Sequence, residues 1–166
     1  MIKKIILALL VLSSVANAEL FKSSNVSLGL SIGNGNLTTV EDGEQNYTIL
    51  GFSAEYFVQD NLSVSLGVMS WLGATPTLKQ VTTTATYYVP LDQEFRPYFG
   101  GFARQTYVSD GYEDYESYGG RLGIAMILSP NSYVSFGVVS EHQSSCAEWQ
   151  DSCSSTYPEL VFGASF

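Results

Sequence analysis

Apolar and polar residues alternate along most of the chain, in eight segments separated by turn-forming residues. The first segment, "SNVSLGLSIG", places Val26, Leu28 and Leu30 on one side of an extended backbone and serines and glycines on the other. A period of two is typical of β-strands, whereas helices repeat every 3.6 residues. The pattern predicts strands over 24–33, 47–58, 61–71, 79–89, 95–107, 116–128, 132–142 and 155–166.

The predicted strands have one large apolar face and one small or polar face. The second strand, for example, carries Leu50 and Phe52 on the first face and Gly51, Ser53 and Glu55 on the second. Two all-β folds explain such a pattern. In a soluble sandwich the apolar faces form the core, and in a membrane barrel they face lipid while the small residues line the lumen.

The spacing of the strands favours the barrel. Connections alternate between short and long, as in up-and-down barrels with tight periplasmic turns and longer outer loops. The short connections are 59–61, 90–94 and 129–131, and the long ones are 34–46, 72–78, 108–115 and 143–156. The predicted strands of about 9–13 residues are also long enough to cross a bilayer obliquely, which takes about 9–11 residues.

Aromatic residues lie near the ends of the predicted strands, where rings favour the interface between lipid and water. They are Tyr47, Tyr56, Trp71, Tyr87, Tyr107, Tyr118, Tyr133 and Phe166. Together with the spacing, this distribution predicts an all-β fold, an eight-stranded antiparallel up-and-down transmembrane β-barrel.

The first 18 residues have the features of a secretory signal peptide. Two lysines precede an apolar run over 5–12, and the segment closes on "ANA" at 16–18, a small-residue cleavage pattern. The run is too short for an anchoring helix, which needs about 20 apolar residues. We expect the mature chain to begin at Glu19 and to form one barrel domain over residues 19–166.

The composition of the mature chain excludes some classes of function. Five basic and 16 acidic residues after position 18 give a formal net charge of −11, whereas a nucleic-acid surface needs a basic face. The sequence shows no nucleotide-binding loop, zinc-protease motif or nucleophile elbow, and "GNGN" at 33–36 is interpreted as a flexible loop because no helix follows it. We therefore expect no cofactor, no metal site and no nucleic-acid partner.

An exported chain of eight alternating strands that ends in Phe resembles the small outer-membrane barrels of Gram-negative bacteria, of the OmpA transmembrane-domain and OmpX type. The stretch "YPELVFGASF" is similar to the strand that this family presents to the barrel-assembly machinery, with Phe162 and Phe166 as the assembly signal. The resemblance implies a monomer in the cell outer membrane, in contact with outer-membrane lipid and lipopolysaccharide. It implies no particular activity.

Strand parity places charged residues on the lumen side of the predicted barrel. They are Glu55, Arg121, Glu141 and Glu159, joined by Arg104 or Arg96 from the fifth strand, whose facing is ambiguous. An eight-stranded barrel has a lumen that side chains can fill. Because buried charges persist only when they are paired, we expect an Arg–Glu network there. The network is either a structural plug or a gate for ions.

The last long loop contains two candidate features. Cys146 and Cys153 form an even pair in an exported chain, which predicts a disulfide. His142 and Ser144 share one strand face near the outer rim, which resembles the His-x-Ser pair of outer-membrane lipid A deacylases. The third residue of such a hydrolase would be Glu148, although it lies in the loop, and Ser145 stands where that family has Asn.

The outer loops are acidic and offer one more binding hypothesis. Carboxylates such as Glu41, Asp42, Glu113 and Asp114 suit divalent cations that bridge to lipopolysaccharide phosphates, or form a solvated surface. Three functions remain open on the sequence alone. The first is a non-enzymatic barrel with an envelope-structural or adhesin-like role, the second is a lipid A deacylase, and the third is a narrow gated channel.

Overall fold

The computed structural model describes residues 19–39, 43–73, 75–91, 94–144 and 153–166. These residues form eight β-strands that pair antiparallel in chain order, and the last strand pairs with the first, which closes the sheet. The strands are β1 (Val26–Thr39), β2 (Gly43–Gln59), β3 (Leu62–Leu72), β4 (Leu78–Tyr88), β5 (Phe95–Val108), β6 (Tyr115–Ser129), β7 (Ser132–Gln143) and β8 (Ser154–Ser165). The predicted eight-stranded antiparallel up-and-down barrel is confirmed. No helix in the described ranges is long and apolar enough to cross a membrane.

The seam between β1 and β8 removes the free edges of the sheet. Pairing runs from Ser27↔Ser165 to Ile32↔Leu160, and the backbone N–H of Phe166 donates to the carbonyl of Val26 at 2.8 Å. In hydrocarbon each unpaired backbone group costs several kcal/mol, so only a closed sheet is compatible with a bilayer. The seam is therefore the feature that lets this sheet occupy lipid.

The large apolar side chains point away from the lumen. Leu66, Phe99 and Leu122 are 58%, 57% and 64% exposed, whereas Ser63 and Ser135 on the opposite faces are 1% and 2% exposed. A sandwich would bury the large residues and expose the small ones. The sandwich interpretation is therefore excluded.

The first outer hairpin is longer than the sequence predicts. The prediction places a loop over 34–46, but β1 continues to Thr39 and β2 begins at Gly43, with backbone pairing up to Thr39↔Gly43. The loop prediction is wrong for 34–39 and 43–46, and so is the interpretation of "GNGN" as a loop, because residues 33–39 belong to β1 and 43–46 to β2. The turn propensities of these residues do not decide their structure. The pairing register that is set within the barrel wall continues into the parts of β1 and β2 beyond it.

The aromatic residues divide between the two faces of the wall. Tyr56, Tyr107, Tyr118 and Phe166 are exposed on the outside, as an interfacial girdle requires. By contrast Tyr47, Trp71 and Tyr133 are buried, and the prediction that they lie at the lipid interface is wrong. Each of these three shares the lumen-facing parity of its strand, which outweighs the preference of rings for the interface.

The segment before β1 folds into the end of the barrel that carries the short turns. Phe21 is 1% exposed, and its carbonyl accepts the backbone N–H of Asn61 at 2.7 Å. The φ angle of Phe21 is 62°, a left-handed conformation that costs a bulky residue about 1–3 kcal/mol. Burial of the ring, at about 1.5–3 kcal/mol, offsets that cost.

Candidate functional site in the barrel lumen

All five charged residues predicted for the lumen have side chains inside the barrel. Glu55 comes from β2, Arg104 from β5, Arg121 from β6, Glu141 from β7 and Glu159 from β8. The facing of β5, which the sequence left open, puts both arginines of this strand on the inner side, since Tyr98, Phe102 and Arg104 are all buried. The lumen thus gathers charges that lie far apart in the chain.

Arg104 and Glu141 form the more buried of two ion pairs. Nη1 of Arg104 lies 2.6 Å from Oε2 of Glu141, and both side chains are about 95% buried. The guanidinium also donates to the hydroxyls of Thr82 at 2.9 Å and Tyr157 at 2.7 Å. Tyr157 in turn donates to Glu141 at 2.8 Å. A charge this deep is stable only with such a set of partners.

Glu141 is held from its other side as well. The hydroxyl of Ser117 donates to Oε1 of Glu141 at 2.5 Å, and the Phe102 ring lies 4.8 Å from the guanidinium carbon of Arg104. The pair is therefore enclosed by β4, β5, β6, β7 and β8 together. On the lumen side of β6 it links β4 and β5 to β7 and β8.

Arg121 and Glu159 form the second ion pair. Nη2 of Arg121 lies 2.8 Å from Oε1 of Glu159, with 18% and 15% of the two side chains exposed. The Tyr98 hydroxyl donates to the same carboxylate oxygen at 2.9 Å. Nε of Arg121 is buried without a hydrogen-bond partner, so this pair is less completely satisfied than the pair of Arg104 and Glu141.

Glu55 is held by hydroxyl groups. The hydroxyls of Ser63, Tyr88 and Tyr133 all donate to its carboxylate, with oxygen–oxygen distances of 3.1 Å for Tyr88 and 3.0 Å for Tyr133. No Lys or Arg of the described residues lies within 4 Å of it. The sequence predicts that Glu55 joins the Arg–Glu network. Its carboxylate lies in the lumen, but it belongs to neither ion pair.

A cavity of about 90 Å³ with polar and apolar walls lies among these groups. Its walls include Arg104, Arg121, Glu55 and Glu159. Serine hydroxyls such as those of Ser31 and Ser65 line it as well. A buried water needs about 10–15 Å³ of such space and two to four polar partners. The middle of the lumen can therefore hold several water molecules.

An aromatic cluster closes the lumen at the end with the short turns. Its buried members are Leu20, Phe21, Phe57, Tyr88, Tyr98, Ala125 and Tyr133. Phe21 packs against Tyr88 with ring centroids 4.5 Å apart and lies 4.9 Å below the guanidinium carbon of Arg96. Arg96 also donates to Asn61 at 2.6 Å. We call this set the lower plug.

A second cluster fills the opposite end of the lumen. It consists of Tyr47, Ile49, Trp71, Leu78 and Tyr115. The indole N–H of Trp71 donates to Gln80 at 2.9 Å, and Gln80 donates to Thr106 at 3.2 Å. We call this set the upper plug. The described lumen is thus filled by side chains at both ends and crossed by ion pairs between them.

Sequence reasoning missed the tyrosines that complete the lumen. Tyr88, Tyr98, Tyr133 and Tyr157 all donate to lumenal carboxylates. A signal existed, since each has the parity of the small inner residues of its strand. Tyr133, for example, lies directly opposite Gly163, where an added Cβ would overlap its ring. For Phe21 there was no signal, because it precedes the first strand.

The candidate hydrolase residues do not meet in the described contacts. Nδ1 of His142 lies 2.9 Å from the Ser154 hydroxyl, across the β7–β8 pair. The Ser144 hydroxyl donates to the carbonyl of Glu116 at 2.9 Å, so His142 has a different serine as its partner. Glu148 lies outside the described residues.

The cysteines and the terminal phenylalanines are placed only in part. Cys153 immediately precedes β8, and none of the described cysteines is free. Its expected partner, Cys146, lies outside the described residues, so the disulfide stays a prediction. Phe162 and Phe166 are 43% and 38% exposed on the outer wall. Within the described ranges no cluster of His, Cys, Asp or Glu could hold a metal ion.

The turn between β2 and β3 holds the N-terminal segment in place. Oδ1 of Asp60 accepts the backbone N–H of Ser23 at 2.9 Å, and Oδ2 lies 3.5 Å from the Lys22 ammonium. The hydrogen bond from the Ser23 backbone, followed by the charge of Lys22, lowers the pKa of Asp60 below its ordinary value. The carboxylate form of Asp60 therefore stabilises the contact.

Several solved structures share this architecture at low sequence identity. The N-terminal β-barrel domain of Pseudomonas aeruginosa OprF aligns with a TM-score of 0.68 and 14% identity, covering 87% of this chain and 98% of that one. The chain has the fold of the small outer-membrane barrels. Neisserial surface protein A aligns with a TM-score of 0.61 and 14% identity, over 85% of this chain and 94% of that one.

A third structure agrees with these two. OprG of P. aeruginosa aligns with a TM-score of 0.51 and 17% identity, over 87% of this chain and 97% of that one. No family model and no curated protein matches the sequence. At such identities the likeness concerns the fold, so any role has to be argued from the chain's own residues.

Proposed function

We propose that the chain is a monomeric outer-membrane barrel with a non-enzymatic role, either envelope-structural or in surface interaction, and that its lumen does not conduct ions. The observation that carries the proposal is the filled lumen. The lower plug, two ion pairs and the upper plug lie one above another along the barrel. A pore would need a continuous polar path between the two ends.

The orientation follows from the connections. The described turns at 60–61 and 130–131 are tight, and they lie at the same end as the N-terminal segment. In outer-membrane barrels such turns face the periplasm and the longer connections face outward. The long β1–β2 hairpin and the acidic outer loops would then be displayed on the cell surface, where they can contact other molecules.

Conductance in planar bilayers tests the closed lumen. We expect the wild-type barrel and Phe21→Ala to give no current steps, because the ion pairs still block the lumen when the lower plug is lost. No variant that keeps the upper plug and the Arg121–Glu159 pair is expected to conduct, so current steps from the wild type would overturn the closed lumen. Phe136→Ala, on the outer wall, is the control. Wild-type currents whose ion selectivity changes in Arg121→Ala would favour the gated channel instead.

Mass spectrometry of lipid A separates the proposal from the hydrolase alternative. Cells with and without the protein are expected to contain lipid A with the same acyl chains, since His142 bonds to Ser154 and not to Ser144. Loss of one acyl chain in the wild type, restored by both His142→Ala and Ser144→Ala, would establish the deacylase and overturn the non-enzymatic role.

Signal-peptide cleavage, disulfide formation and contact with the assembly machinery belong to the same proposal. Export through a signal peptide predicts that the N-terminal residue of the purified barrel is Glu19. The Cys146–Cys153 disulfide predicts a change in mobility between reducing and non-reducing gels, which Cys153→Ser abolishes. Phe162 and Phe166 would be contacted by the barrel-assembly machinery during insertion. Each event can be measured independently of conductance.

A further inference from the structure

The outer wall of the barrel carries a single Lys or Arg side chain. The sequence has five basic residues after position 18, and the structure describes all of them. Arg96, Arg104 and Arg121 point into the lumen, and Lys22 belongs to the N-terminal segment. Lys79 alone is on the outer wall, exposed in the second position of β4. A lipid-facing lysine is most costly at the bilayer midplane and least costly near the interface, and Lys79 lies near the outer rim.

Two further hydrogen-bond donors lie beside Lys79 in the same row across the sheet. Ser70 of β3 is its partner on one side and Tyr107 of β5 is its partner on the other. Ser70, Lys79 and Tyr107 all have the outward parity of their strands, and Tyr107 is 48% exposed. One ammonium and two hydroxyl groups therefore line up at the outer end of three adjacent strands. We call this the donor row.

An apolar groove of about 620 Å³ runs along the wall from the donor row. Its lining includes Leu30, Ile32, Leu50, Phe52, Val68 and Val81, together with Ser70, Lys79 and Tyr107. Its volume is within the range of about 300–1,000 Å³ that is usual for ligand sites. The groove is therefore amphipathic, with its donors at the outer end and hydrocarbon surface below them.

The charge of Lys79 is not neutralised by the described part of the chain. Lys79 has no carboxylate within 4 Å there. Two exposed acidic residues on that side lie beyond this distance, Asp114, which bonds to the backbone of Val108, and Glu116 of β6. A chain with a formal net charge of −11 after position 18 thus leaves one cation exposed at the level of lipid headgroups. The complement to this arrangement is an anionic group attached to a hydrocarbon chain.

We propose that this groove binds one acyl chain of a phosphorylated glycolipid of the outer leaflet, with a phosphate on the donor row. Lys79 supplies the charge, and the hydroxyls of Ser70 and Tyr107 donate to the remaining phosphate oxygens. The assignment to lipopolysaccharide rests on the proposed orientation, which puts the donor row in the outer leaflet. A phospholipid phosphate has the same chemistry and is an outcome that the test distinguishes.

The test measures lipid binding to the barrel in phosphatidylcholine nanodiscs, by native mass spectrometry during a titration with purified lipid A. Lys79→Gln is expected to weaken binding about tenfold, since it removes a charge-assisted hydrogen bond. Lys22→Gln makes the same change of charge at the other end of the barrel and is expected to bind like the wild type. Lipid A without phosphates is expected to bind the wild type no better than it binds Lys79→Gln.

A second pair of variants tests the groove itself. Val68→Trp places a large ring in the groove and is expected to lower the affinity for lipid A, whereas Ile124→Trp on β6 leaves the groove open and is expected to have no effect. Equal affinity of the wild type and Lys79→Gln would overturn the site. If phosphatidylglycerol bound as tightly as lipid A and its binding also depended on Lys79, the assignment of the ligand as a glycolipid would be overturned. Insertion of the wild type into the nanodisc reports the membrane location separately, so failure of the site leaves the proposed location standing.

Discussion

Arg104 shows how one residue can decide the state of the lumen. Its guanidinium is bound to Glu141, Thr82 and Tyr157, and these partners come from different strands. A buried charge pair contributes little compared with an apolar pair of the same size, but removal of one partner leaves the other charge uncompensated. Removal of Arg104 is therefore expected to lower the stability of the barrel by more than the ion pair itself contributes.

Substitution of Arg104 by Met is expected to destabilise the barrel by about 3–5 kcal/mol, because Glu141 is left buried without its counter-charge. Urea unfolding of the barrel in lipid vesicles measures the change. The double variant Arg104→Met with Glu141→Gln is expected to recover part of the loss, since no unpaired charge remains. Equal stability of the single and double variants would show that the two residues are not coupled.

Arg121→Met provides the matched comparison. Glu159 is about three times as exposed as Glu141, with 15% against 5% of the side chain accessible, and it lines the cavity in the lumen. Water can therefore replace part of what Arg121 supplies, and a smaller loss of stability is expected. A loss as large as that of Arg104→Met would mean that the cavity is dry.

The facing of individual residues could be predicted from the sequence wherever parity was unbroken. Glu55, Arg121, Glu141 and Glu159 share the face of small residues in their strands, and the structure places all four inside. Which charges pair with which could not be predicted, because pairing depends on the register between distant strands. Arg104 and Glu141, for example, meet on the lumen side of β6, which lies between their strands.

Among the elements, the N-terminal segment shows most clearly where the sequence pattern stops being informative. Residues 19–25 have no alternation, so nothing in the sequence predicts that Leu20 and Phe21 enter the barrel. The structure ties the segment to the β2–β3 turn through Asp60, Ser23 and Asn61. The lower plug therefore depends on a contact made outside the strands.

The contact of Asp60 with this segment is expected to depend on pH. Because the folded state lowers the pKa of Asp60, the stabilisation is complete above the unfolded-state pKa of about 3.9. It is lost as the pH falls through the lower, folded-state pKa. A carboxyl ¹³C titration by NMR should give a midpoint below 3.9, and Asp60→Asn should remove the pH dependence of the Ser23 amide signal. A midpoint at or above 3.9 would contradict the contact.

For the whole molecule, closure is the property on which the other features depend. The pattern of alternation with short and long connections was enough to predict it, because an eight-stranded sheet in lipid has no other way to satisfy its edges. The strand ends were predicted less well. Hydrophobicity no longer constrains the chain beyond the bilayer, so the sequence could not show where β1 ends.

Closure predicts the behaviour of the folded barrel on a gel. The wild type is expected to migrate differently before and after heating in detergent, since an edgeless sheet resists opening. Leu30→Pro is expected to remove the band of the folded barrel from the unheated sample. At this position β1 pairs with both β2 and β8, and proline lacks the backbone donor. Leu30→Ala, which keeps the backbone donor, is the control. Survival of the proline variant would show that the seam is dispensable.

The upper part of the β1–β2 hairpin has a different consequence. β1 parts from β8 after Ile32, and β2 parts from β3 above Thr48, yet the two strands remain paired with each other up to Thr39 and Gly43. The amides of one continuous strand therefore belong to two regimes of hydrogen exchange. Those in the wall exchange only when the barrel opens, while those in the ribbon exchange through brief local separations in water. The hairpin can melt and re-form while the wall beneath it stays intact.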